Sequence, residues 1–325
     1  MISNLVDTLL DRSIALGYGT VGLQARRRLP GWPADPPHMD GAAVLVTGAA
    51  SGLGLASGIA FARLGATVYA LGRSADRARE AAGRIAAAAA GADVRPEACD
   101  LSDLSAVRVF ADAFAEREPR LDVLVNNAGV MPDERTTSPD GHELMFATHV
   151  LAPLALTARL ATLLKRSAPA RVINVSSGGQ YGQGLPVGDW ESEHAAYSPK
   201  KLYARSKREE IVVTEIVAER LRGRGVVVHG MHPGWVDTEG VQRWMPVFRK
   251  LTMPIIRDPD EGADTIVWLG GAPEALAQTG RFWHDRRTRP THYRFGAGPD
   301  SDPDRQALWR YCVDALAEAG IAVEL

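Results

Sequence analysis

The feature that most constrains this chain is a rhythm. Five near-continuous apolar runs are AAVLVTG (42–48), ATVYALG (66–72), LDVLVNN (121–127), RVINVSS (171–177) and GVVVHGM (225–231). Between them lie stretches that read as helices at about 52–64, 75–89, 103–117, 142–166 and 199–222. A run that is apolar at every position, rather than at every second one, suits a strand buried on both faces. Helices that cross back between such strands make neighbouring strands parallel, with right-handed crossovers. The expected fold is α/β: a doubly wound parallel sheet, three layers deep (α/β/α), in a single domain with N- and C-terminal extensions. At 325 residues and 46% hydrophobic, the chain can bury the core this requires.

The ends read differently. MISNLVDTLLDRSIALGYG sets Ile2, Leu5, Val6, Leu9 and Leu10 at helical spacing, with Asp7 and Asp11 among them. LPGWPADPPHMDG follows as a Pro/Gly-rich connector, so residues 1–40 form an extension. Its helix either packs on the main body or makes a peripheral membrane or partner contact through residues 1–20. Residues 41–285 are the main domain. Residues 286–325 are a tail whose DRQALWRYCVDALAEAG is helical in pattern, suited to covering a substrate opening or to meeting another subunit.

The formal net charge of −2 gives no pull toward nucleic acid. The short basic clusters Arg26-Arg27-Arg28 and Arg286-Arg287 read as solvated surface. Cys99 and Cys312 have no metal-like or redox spacing, so no metal is expected and a reducing cytoplasm fits. No run reaches the roughly 20 apolar residues of a transmembrane helix. The N-terminus lacks the pattern of a signal peptide.

VLVTGAASGLGLASGIAFARLGATVYALGRS carries chemistry. Gly48, Gly52 and Gly54 fall after a strand and before a helix, with a second strand following. Glycine lets the backbone turn tightly and approach a pyrophosphate, and the helix N-terminus offers free N–H groups to it. This is the dinucleotide arrangement of a Rossmann fold. At the end of the second strand an acidic residue would bind the ribose hydroxyls of NAD, and a basic one the phosphate of NADP. The sequence there is Gly72-Arg73-Ser74, with no acid before Asp76, which favours NADP(H) over NAD.

YSPKKLYARSK contains Tyr-x-x-x-Lys twice, as Tyr197 with Lys201 and Tyr203 with Lys207. Ser198 and Pro199 are a helix-start signal. Tyr203 and Lys207 therefore lie inside one helix on one face, whereas Tyr197 precedes it and reads as a loop residue near the substrate mouth. A tyrosine beside an ammonium group is easier to ionise, as a general acid/base at neutral pH needs.

These residues resemble the classical short-chain dehydrogenase/reductase family. The resemblance rests on Thr47-Gly48-x-x-x-Gly52-x-Gly54, CDLSD with Asp100, NNAGV (126–130), VINVSS with Ser177, YARSK, and HPGWVDT (232–238), in order over about 42–285. The block MHPGWVDTEGVQRWMP is similar to one subgroup of that family, which also carries an extra N-terminal segment. The resemblance implies an oxidoreductase with Tyr203 as acid/base, Ser177 orienting the substrate oxygen, and Lys207 tuning Tyr203 while binding ribose. It implies a cofactor contacted by Gly48, Ser51, Gly52, Leu53, Gly54, Arg73, Asp100, Leu101, Asn127, Ala128, Gly129, Tyr203, Lys207, Pro233, Gly234, Val236 and Thr238. It also implies homo-oligomers paired through the helices at 142–166 and 199–222.

One departure is His149, where the family places an Asn that holds a water linked to the lysine. His149 is either part of a proton relay, with a titration of its own, or a packing residue. The stretch 239–262 is rich in apolar residues, among them Trp244, Met245 and Phe248, and reads as a lid over a small hydrophobic carbonyl or alcohol. Trp235 and Trp190 are further candidates for its walls. The competing reading is a catalytically weak or inactive NADP(H)-binding regulatory protein.

Overall fold

The computed structural model describes residues 2–194, 196–293 and 296–325. Its strands are β1 (Ala43–Thr47), β2 (Thr67–Gly72), β3 (Val94–Ala98), β4 (Val123–Asn126), β5 (Ala170–Val175), β6 (Val226–Met231), β7 (Arg281–His284) and β8 (Arg287–Arg289). They form one sheet in the order β3-β2-β1-β4-β5-β6-β7-β8. Strands β1 to β7 are parallel, and β8 returns antiparallel to β7. Chain order reverses between β1 and β4, where an open α/β sheet leaves a crevice at the carboxyl ends of its strands.

Three helices precede the sheet: α1 (Ile2–Arg12), α2 (Ile14–Gly17) and α3 (Thr20–Arg27). The crossovers hold α4 (Gly52–Arg63), α5 (Ala75–Ala88), α6 (Leu104–Arg117), α7 (Leu144–Phe146), α8 (Ala152–Arg159), α9 (Ala161–Arg166) and α10 (Pro199–Arg220). Before β7 come α11 (Glu239–Trp244), α12 (Pro246–Thr252) and α13 (Pro259–Gly271), and α14 (Asp302–Glu318) follows β8.

The five apolar runs form β1, β2, β4, β5 and β6, and every residue of β1, β4 and β5 is buried. Alternation sends Leu45, Leu124 and Val172 into the core on one face of the sheet, and Val44, Val46, Val123, Val125 and Ile173 into the core on the other. The helix expected over 142–166 is interrupted instead. A π-turn at Ala147–Leu151 carries His149, and Pro153 in the next turn has no N–H to continue a regular ladder.

The N-terminal helix packs the other way round from a simple apolar stripe. Leu5 and Leu9 are 61% and 60% exposed, while Asp7 and Asp11 are buried. The reason is a set of cations waiting on distant elements. Asp7 accepts from Arg26 at 2.9 Å and from both terminal nitrogens of Arg289 at 2.8 and 2.9 Å, and Asp11 accepts from the Tyr293 hydroxyl at 2.6 Å. Charge-assisted, forked hydrogen bonds of this kind offset the desolvation of both partners.

Two expected surface cations are accordingly corrected: Arg26 and Arg286 are buried. Arg26 also donates to Asp285 at 2.6 Å, which Arg257 holds in a fork at 2.7 and 2.9 Å. Arg286 pairs with Asp264 and Asp35, both at distances under 3 Å. Asp285 and Arg286 are the two turn residues between β7 and β8, and both have positive φ, 51° and 54°. That is the backbone of a two-residue hairpin turn, normally left to Asn or Gly. Here the buried ion pairs of both side chains hold it.

The C-terminal helix lies against α10. Leu308, Trp309, Cys312, Ala315 and Leu316 join the core, Arg305 pairs with Glu215 at 2.6 Å, and Arg220 stacks over the Trp309 ring at 4.4 Å. Residues 302–318 line no part of the main cavity, so the helix does not cover the substrate opening.

Candidate active site

At the end of β1 the chain turns through Gly48, φ +66°, into α4. A Cβ on Gly54 would lie 2.2 Å from the Gly48 carbonyl oxygen, so no other residue fits that turn. The turn is tied to the end of β4. The Thr47 hydroxyl accepts the Asn127 and Ala128 N–H groups at 2.8 and 3.0 Å, and the Asn127 amide donates to the Thr47 carbonyl at 2.8 Å. Ser51 stands at the α4 N-cap and spends no side-chain hydrogen bond on it. A tight glycine turn opening onto a helix N-terminus fits a pyrophosphate.

Around this rim, Arg73 projects into solvent after β2. Asp100 accepts from the Ser102 N–H and hydroxyl at 3.0 and 2.8 Å, and Leu101 beside it is buried. Gly48, Ser51, Gly52, Gly54, Arg73, Asp100, Leu101 and Ala128 do not line the main cavity. That cavity, about 1080 Å³, brings together Leu53, Asn127, Gly129, Ser177, Tyr203, Lys207, Pro233, Gly234, Val236 and Thr238.

Tyr203 and Lys207 stand one turn apart on α10, which starts at the Ser198 cap and Pro199. Ser177 lies two residues past the end of β5, and its hydroxyl accepts the Gly179 N–H at 3.2 Å. The Lys207 ammonium is buried and donates to the Val175 carbonyl at 2.8 Å and to Glu210 at 3.2 Å. Glu210 is the residue that sequence reasoning missed at this centre; its signal was the three-residue spacing from Lys207 on a helix. Burial pushes its carboxyl up to about 7, against the pull of Lys207.

His149 is wholly buried, and burial, with Lys207 nearby, holds it neutral by driving its pKa well below the usual value. Its Nε2 accepts the Val130 N–H at 2.9 Å. The proton therefore sits on Nδ1, which donates to the Ser206 hydroxyl at 2.8 Å, and Ser206 donates in turn to the Tyr203 carbonyl at 2.9 Å. Both ring nitrogens are thus occupied. Gly129 makes room for the ring: a Cβ there would come within 3.3 Å of Nε2.

The short chain dehydrogenase family profile matches residues 42–246. The chain belongs to that family. It is 38% identical over 274 residues to dehydrogenase/reductase SDR family member 12 of Bos taurus, across 83% of this chain and 85% of that protein. It is also 38% identical to retinol dehydrogenase 14 of Mus musculus, across 77% of this chain and 80% of that one. Among solved structures, a short chain dehydrogenase from Burkholderia cenocepacia in complex with NADP superposes with a TM-score of 0.61 at 26% identity, covering 75% of this chain and 96% of that one.

In this chain the cavity walls come partly from outside the matched region. Trp235, Trp244, Met245 and Phe248 line it, but so do Arg12, Ile14 and Tyr18 from the N-terminal segment and Tyr293 from the tail. Nothing in the local sequence marks those four as wall residues. Trp190 packs against the core and not on the wall, because the 189–192 loop folds inward there. Tyr197 packs against the same buried cluster as Tyr203 and donates to the Pro132 carbonyl at 2.6 Å, also off the wall. Among the described residues no group of three His, Cys, Asp or Glu is placed to hold a metal ion, and no helix is long and apolar enough to cross a membrane.

Proposed function

We propose that the chain is an NADP(H)-dependent oxidoreductase that interconverts a hydrophobic carbonyl compound and its alcohol. The observation that carries this reading is one cavity whose wall presents Ser177, Tyr203 and Lys207 beneath the apolar side chains of Trp235, Trp244, Met245 and Phe248. The nicotinamide, when bound, supplies the hydride. Ser177 donates a hydrogen bond to the substrate oxygen and orients it. Tyr203 gives that oxygen its proton, and the Lys207 ammonium stabilises the phenolate left behind. The aromatic lid excludes water and favours an apolar substrate.

Support for NADP over NAD is Arg73 at the end of β2, where no acid faces the ribose; Asp76, the first acid, pairs with Arg79. His149 stands outside the proton path, since both its nitrogens are engaged, and it positions the Tyr203 turn through Ser206. Pairing of subunits through α10 is disfavoured because α14 already lies on that helix. A reducing cytoplasm suits the buried free thiols of Cys99 and Cys312.

The test is a panel of hydrophobic ketones and secondary alcohols, followed at the reduced nicotinamide band, for wild type and Tyr203→Phe. The variant is expected to bind NADPH as wild type does and to lose about 10²- to 10⁴-fold in kcat. Retained turnover would remove Tyr203 from the mechanism. Wild-type binding of NADPH with no turnover on any member of the panel would favour the regulatory reading.

A further inference from the structure

We propose that α1, α2 and the lid helix α12 form a docking surface for an anionic phospholipid bilayer around the mouth of the cavity. Among the described residues, eleven large apolar side chains are exposed, and eight of them come from these helices and the residues that adjoin them, 5–21 and 247–253: Leu5, Leu9, Ile14, Leu16 and Val21, and Val247, Leu251 and Met253. Such clustering is unusual for a surface that faces only water.

The exposure of the N-terminal leucines is built in. Leu5 and Leu9 share one face of α1, and the opposite face carries Asp7 and Asp11. Those acids are pinned inward by Arg26, Arg289 and Tyr293, so the helix cannot roll to bury its leucines without breaking the clamp. A membrane-surface helix keeps its polar face in water; in this chain the protein body takes water's place.

The two stretches are joined and border the mouth. The Thr20 N–H donates to the Ile255 carbonyl at 2.8 Å, and Tyr18, Trp235 and Phe248 make a chain of edge-to-face ring contacts between them. Ile14 and Phe248 line the cavity, while Leu9 and Leu251 of the same segments face outward.

Charge selects the occupant. Arg12 and Lys250 are exposed in these segments, where the acids of α1 are withdrawn; on the adjoining α11, Arg243 and Glu239 are both exposed and offset one another. That combination complements anionic headgroups over an acyl layer. A second copy would fit less well, because a two-fold contact sets the patch against itself and brings its cations together. The surface rests on exposure and charge, and does not depend on the reaction assigned to the cavity.

The test is co-sedimentation of the full chain with phosphatidylcholine vesicles, with and without about 30% phosphatidylserine. The comparison is wild type against a Leu9→Ser/Leu251→Ser double variant, with circular dichroism and gel filtration on both. Neither residue lines the cavity, so turnover of a water-soluble substrate is expected to be unchanged. Wild type is expected to pellet with the anionic vesicles and the variant to lose at least fivefold in bound fraction. Wild type remaining in the supernatant would overturn the proposal, as would equal pelleting of a folded variant. A wild-type dimer that the substitutions dissolve would overturn it too, by assigning the face to a second copy.

Discussion

The β1–β4–β5 core and the clamp that holds the N-terminal segment are equally dry, yet they are assembled by different physics. In the core, Val44, Leu45, Val123, Leu124, Val172 and Ile173 exclude water without directional demands, so each contributes through area and fit. In the clamp, Arg26, Arg257 and Asp285 are at most 1% exposed and carry full charge. Burial alone would raise the Asp285 carboxyl, but Arg257 and the neighbouring cations override it and hold it far below the usual range. A hydrophobic core tolerates a missing member by partial collapse. A buried ion network does not, because every remaining partner is left charged and unpaired.

The sharpest way to break this comparison is Asp285→Ala. Leaving Arg26 and Arg257 buried without their acid is expected to cost about 3–5 kcal/mol in urea unfolding. Amide exchange in residues 2–27 should lose protection before the sheet does, because Asp285 joins α3 to the β7–β8 turn. Global loss with no early release of that segment would show that the clamp is part of the core rather than a separate unit. The counterpart is Leu45→Ala, expected to cost about 3 kcal/mol through lost burial and a residual cavity. In that variant the N-terminal amides should exchange together with the sheet.

The smallest effect concerns the buried carboxylate paired with Lys207. Glu210 has an ordinary value of 4.5 raised to about 7 in the fold. The folded chain therefore holds an extra proton between those values, and stability is lost as pH rises through that window. Glu210→Gln removes this contribution. The stability difference between wild type and variant should decline from pH 4.5 to 7, by tenths to a few kcal/mol. A flat difference would mean that the bond to Lys207 keeps Glu210 ionised throughout.

Much of the nucleotide side was readable before any coordinates. Apolar residues at every position mark β1, β4 and β5 because both faces of those strands are covered, and glycine at Gly48 and Gly54 leaves a mark because no other residue fits the turn. Strand β3 escaped notice: VRPEA sits at the sheet edge, where Arg95 and Pro96 face solvent and no apolar run is needed. The β7–β8 hairpin escaped because its turn is Asp285-Arg286 rather than Asn-Gly. Tyr203 and Lys207 could be separated from Tyr197 and Lys201 by one helix-start signal. Glu210 could be placed next to Lys207 by its spacing on the helix, but its raised pKa and the state of His149 could not be read, since each depends on what surrounds it in space.

The amino-acid order by itself determined the parallel sheet, the glycine turn and the register of Tyr203 with Lys207 on one helix. These follow from periodicity and backbone sterics, which act over a few residues. Only the tertiary structure decided which face of α1 is buried, which arginines are surface and which are clamp, and which N-terminal side chains reach the cavity. Asp7 and Arg289 are 282 positions apart. Electrostatic pairing between such groups has no period to read, and it exists only once the sheet has brought the two ends of the chain together.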